Sequence, residues 1–86
     1  MPRFYFDVRE GVEFTPDEEG LELDSLDAAE RAAATTAAEI GRDSLPKGDS
    51  REVTVELKNE HGQRVLTVTV SMEIHRGDPE QEPPRA

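Results

Sequence analysis

Apolar side chains in this chain fall on two periods, and the switch between them lays out the elements. Phe4, Phe6 and Val8 alternate with Arg3, Tyr5, Asp7 and Arg9, a period of two that predicts a strand over about 3–8 with one buried and one wet face. Gly11 suits a tight connection because glycine takes positive φ without steric cost, and Val12 and Phe14 then alternate as a short second strand. The run Pro16-Asp17-Glu18-Glu19-Gly20 ends that ladder in a turn. Leu21 and Leu23 alternate again. The pattern leaves open whether they continue the second strand after a bulge or form a short extra one.

The period then lengthens to 3.6. Leu26, Ala29, Ala33, Ala37 and Ile40 make one stripe, predicting a helix from about Ser25 to Asp43 with Asp24 or Ser25 as N-cap. Asp27 and Glu30 near its start and Arg42 near its end complement the helix dipole. A stripe built mainly of alanine lets the axis lie close to a sheet, with Phe4, Phe6 and Phe14 expected to supply the missing volume. Leu45-Pro46-Lys47-Gly48 stops the helix.

Beyond it Val53, Val55 and Leu57 alternate with polar residues, Asn59-Glu60-His61-Gly62 reads as a turn, and Leu66, Val68, Val70, Met72 and Ile74 alternate in turn. This last strand is the longest and most apolar, so it is expected at the sheet centre beside the first strand. The fold class that follows is α+β: a ββαββ order forming a four-stranded, mainly antiparallel sheet with one helix packed on one face. Tyr5, Asp7, Thr54, Glu56, Thr67, Thr69 and Ser71 are expected on the opposite face, in water.

A chain of 86 residues has room for one small core, assigned here to residues 1–75. Residues 76–86, rich in proline and acid, read as a disordered tail. No cysteine is present, so neither disulfides nor thiolate metal sites contribute. No apolar run has the length of a signal-peptide core or a membrane span, and the expected location is the cytoplasm.

Net charge is −10, and its placement matters more than its size. Ten of the twenty carboxylates lie between Asp7 and Glu30, where Arg9 is the sole base. Phosphate backbones would be repelled from such a surface, whereas a basic protein partner would be attracted. The expectation is therefore no nucleic-acid or membrane partner, a possible basic protein partner, and a monomer or weak homodimer.

Residues able to carry chemistry do not assemble in the sequence. His61 and His75 lack partners at ligand spacing, the acidic run Asp17–Asp24 departs from calcium-loop spacing, and Ser25, Ser44, Ser50 and Ser71 have no nucleophile-elbow context. No catalytic, cofactor-binding or metal-ligating residue is assigned, and no cofactor is implied. Tyr5 is the one aromatic expected on the open sheet face, beside acids that disfavour base stacking.

The opening Met-Pro-Arg-Phe-Tyr-Phe-Asp, the Asp17-Glu18-Glu19-Gly20 turn, the alanine-rich helix start Leu26 to Ala33 and the strand Val68 to Ile74 resemble a family of short, uncharacterised bacterial proteins. That resemblance implies a bacterial cytoplasmic origin and no catalytic residues. A weaker one runs to the N-terminal half of HicB-type antitoxins, which also place an aromatic strand, an acidic turn and an alanine-rich helix in this order. The reading is a small non-enzymatic interaction or accessory domain with an acidic surface; the alternative is a HicB-like antitoxin that masks a basic toxin.

Overall fold

A computed structural model describes residues 1–48 and 50–77. The elements are β1 (Arg3–Glu10), β2 (Glu13–Thr15), β3 (Leu21–Glu22), α1 (Leu26–Ser44) with a 3-10 turn at Leu45–Lys47, β4 (Glu52–Lys58) and β5 (Arg64–Ser71). This is an α+β fold whose antiparallel sheet runs β2-β1-β4-β5, with β3 added beside β1. Leu21 thus belongs to a short extra strand, with Leu23 just past its end: β2 pairs with Val8–Glu10, and β3 pairs with Arg3 and Phe4. The tail expected at 76–86 lies, from Asp78 onward, outside the described residues.

The strand order corrects one expectation. The first and last strands are not neighbours, because β4 lies between them and pairs with both. Its inward residues Val53, Val55 and Leu57 are completely buried, whereas Leu66, Val68 and Val70 of β5 are only partly covered. Apolar length did not set the centre. A strand flanked on both sides buries short valines fully, and an edge strand leaves longer runs half in water. β5 also stops at Ser71, so Met72 and Ile74, expected to point inward, stand exposed beyond its end.

Ser25 is the helix cap, its Oγ accepting the Ala28 N–H at 3.1 Å. The buried stripe is Ala29, Ala33, Ala37 and Gly41, so it runs straighter than expected at both ends: Leu26 is exposed and Ile40 half-buried. Gly41 explains the close seat of α1, since a Cβ there would stand 3.1 Å from Val70 Cγ1 and 3.3 Å from Leu45 Cδ1. The alanines meet Phe4 and Leu57 at one end and Val55 farther along, with Phe6, Val8, Leu66, Val68 and Val70 filling in around them.

Phe14 departs from its expected core position. It is exposed on β2, under the Arg9 guanidinium at 4.6 Å from the ring centre. Arg9 and Phe14 are directly opposite in the β1–β2 register, so their side chains share the sheet face turned away from α1.

Candidate functional site

Positions with chemistry gather on the sheet face opposite α1. On β1 the outward residues are Tyr5, Asp7 and Arg9; in register beside them on β4 stand Lys58, Glu56 and Thr54. Asp7, expected in water, is instead buried, with 4% of its surface exposed. The segment after β2 folds over it. Asp17 N–H donates to Asp7 Oδ1 at 2.9 Å, and Lys58 Nζ, diagonal across the strand pair, lies 2.8 Å from Asp7 Oδ2. Burial by itself would push the Asp7 carboxyl up; the Lys58 hydrogen bond, the Asp17 N–H and the Lys58 charge outweigh it and hold the carboxyl below its ordinary value.

Asp17 is the organising residue of this corner. Its Oδ2 accepts the Phe6 N–H at 3.1 Å, and its Oδ1 accepts Glu19 N–H at 3.2 Å and Gly20 N–H at 3.1 Å. Gly20 is required at its place: φ is +72°, and an added Cβ would come within 2.9 Å of the Phe4 carbonyl oxygen. Tyr5, Asp7, Pro16, Asp17 and Lys58, with Asn59, Glu60 and Gly62 of the following turn, line an open recess of about 310 Å³.

A second ionic group lies along the same face. Glu56 accepts from Arg9 at 3.4 Å and sits 3.5 Å from the Arg64 guanidinium, while Thr54 and Thr69 share a hydroxyl hydrogen bond of 3.0 Å. Asp7 and Glu56 are thus met by three cations, Lys58, Arg9 and Arg64. Of the ten carboxylates between Asp7 and Glu30, Asp7 is buried, Glu10 and Asp17 are half-buried, and the remaining seven, Glu13 to Glu30, are exposed. They follow β2, β3 and the start of α1 as a rim, and Phe14, Leu21 and Leu26 are exposed among them.

The other singled-out residues stay apart. His61 lies exposed in a turn tied by Asn59, whose Oδ1 accepts the His61 and Gln63 N–H groups. His75 Nε2 is 3.1 Å from Glu73 Oε2, both in solvent. Ser25 caps the helix, Ser44 Oγ donates to Glu10 at 3.4 Å, and Ser50 Oγ is buried without a hydrogen-bond partner. Among the described residues, no three His, Asp or Glu side chains converge as a metal site, and no helix is long and apolar enough to cross a membrane.

The Asp7–Lys58 pair and the role of Asp17 were not evident from the sequence. Asp7 has the alternation of a wet-face residue, and only the β1–β4 register brings Lys58 to it. The available signal was the turn itself, where an Asp three residues before a Gly can accept backbone N–H groups. As built, the arrangement fixes a loop to a sheet.

Residues 3–71 match a domain of unknown function (DUF6894), and the chain belongs to that family. No curated protein and no solved structure matches it.

Proposed function

We propose that this chain is a small non-enzymatic interaction domain whose acidic rim receives a cationic protein. One observation carries the reading: between Glu13 and Glu30, seven exposed carboxylates are interspersed with the exposed Phe14, Leu21 and Leu26, and the segment contains no Lys or Arg. Carboxylates alone serve solubility. Apolar side chains at this edge, Phe14 on the open face of the sheet and Leu21 and Leu26 on the helix side, add contact area that desolvates on binding, the composition of an edge for a basic amphipathic partner. Two cations beside the segment are occupied, Arg3 by the Glu19 carbonyl and Glu22, and Arg9 by Glu56 and the Phe14 ring.

Nucleic acid and anionic membrane are the wrong partners for such a rim, since it offers no group to displace counterions from phosphates. The antitoxin reading is the special case in which the cationic protein is a toxin; co-expression that rescues growth would single it out.

The test is an NMR titration with a short Lys/Arg-rich peptide containing Leu and Phe. Shifts concentrated at residues 13–30, weakening as salt rises, are the expected result. Shifts spread evenly over all exposed acids, or a gel shift of duplex DNA by this protein, would overturn the reading.

A further inference from the structure

We propose that β5 is a dimerisation edge, pairing antiparallel with β5 of a second copy about a two-fold axis near Val68 and Thr69. β5 ends the sheet, and among the described residues no strand pairs with its outer side. Natural edges are usually guarded by charge, proline or a bulge along their length. Residues Val65 to Met72 contain no charge and no proline. The one irregularity falls at the far end, where the register slips between Leu57 and Lys58 and leaves Val65 unpaired.

The free backbone groups can be identified. Met72 N–H donates to the Arg51 carbonyl, so Met72, Val70, Val68 and Leu66 turn their amides toward β4, and alternation leaves those of Thr67, Thr69 and Ser71 facing outward. Two copies related by a two-fold can join these groups only by placing odd residues opposite odd ones. That condition fixes the rest: Thr and Ser meet Thr and Ser on the open face, while Leu66, Val68 and Val70 meet their like on the helix face.

A single continuous sheet results, with both helices on one side. α1 packs over β4 and β5, at this edge, so the helices of the two copies come side by side, and exposed Ala34 and Ala38 are small enough for close approach. Charge at the strand ends agrees, because antiparallel pairing brings Arg64 of one copy to the Glu73 end of the other. A foreign extended peptide could use the same backbone groups, but it would not be required to match this alternation; the second copy matches it on both faces at once.

Long-range charge opposes the union. Each copy carries −10, so pairing should strengthen as the Debye length falls from ~30 Å at ~0.01 M to ~8 Å at ~0.15 M salt, opposite to the salt response of the rim.

The experiment is sedimentation equilibrium of the full chain over concentration and salt, with hydrogen exchange of the Thr67 and Thr69 amides. A reversible dimer, favoured by salt, in which those two amides slow as concentration rises is the expected result. Thr67→Pro removes an outward N–H that β4 does not use, and should weaken the dimer at least about tenfold. Thr67→Lys, which keeps the backbone intact, serves as the second variant and should do the same while the protein stays folded by circular dichroism. A protein monomeric at about 1 mM, a dimer indifferent to both variants, or protection of these amides only by an added peptide would overturn the proposal.

Discussion

Asp17 Oδ2 accepts the Phe6 N–H at 3.1 Å, doing with a side chain what a neighbouring strand does elsewhere along β1. β3 serves Arg3 and Phe4, and β2 serves Val8 to Glu10. The carboxylate fills the gap between them. The same side chain holds the turn through Glu19 and Gly20, so the rim from Glu13 to Glu22 has its shape because one acid is turned inward.

Asp17→Ala should cost about 2–3 kcal/mol, since it leaves a half-buried strand N–H without an acceptor and frees the turn. Denaturant titration measures the cost. Faster hydrogen exchange at Phe6 and in β3, with β4 unchanged, is the accompanying signature.

The Asp7–Lys58 pair should respond unequally to loss of its two partners. Lys58→Met strands a carboxylate that is 5% exposed, while Asp7→Asn leaves an ammonium 35% exposed that can turn to water. The first should cost about 3 kcal/mol and the second about 1–2 kcal/mol, by chemical denaturation at neutral pH. Equal losses would contradict the unequal burial.

Acid should weaken the fold through the same carboxyl. Its pKa is lowered in the folded state, so its contribution is fully present above the unfolded value of about 3.9 and is lost as pH falls through the lower folded value. Stability followed by thermal melts should therefore fall below about pH 4. Asp7→Asn should make that decline shallower.

Two glycines at positive φ separate strain from crowding. Gly62 has φ +77° and nothing within 4 Å of a would-be Cβ, whereas Gly20 has φ +72° and would press on Tyr5, Arg3 and the Phe4 carbonyl. Gly62→Ala should cost about 1 kcal/mol and Gly20→Ala about 2–4 kcal/mol, measured as shifts in the urea midpoint.

Of the phenylalanines, Phe4→Ala should cost about 3–5 kcal/mol because Phe4 is buried against Ala29 and Leu57. Phe14→Ala should cost about 0.5–1 kcal/mol, the worth of an exposed contact with Arg9. Paired melts of the two variants check both.

What the sequence determined by itself was everything carried by local period and local chemistry. Strand alternation at Phe4–Val8 and Val53–Leu57, the alanine stripe of α1, its Ser25 cap and the breaks at Gly11, Pro16, Pro46 and Gly62 are short-range properties, and the α+β fold follows from them. Tertiary structure decided whatever depends on which strand lies beside which. Centrality went to β4 because a strand's burial depends on its neighbours, not on its own apolar content. Phe14 stayed in solvent because the β1–β2 register turns it, with Arg9, to the sheet face away from α1. Asp7 and Asp17, two acids among ten in one stretch, were drawn inward only once the β1–β4 register set Lys58 diagonal to one and the fold of the turn brought the Phe6 N–H to the other. Of the other eight carboxylates of that stretch, Glu10 is half-buried and seven are exposed, a division that only the fold makes.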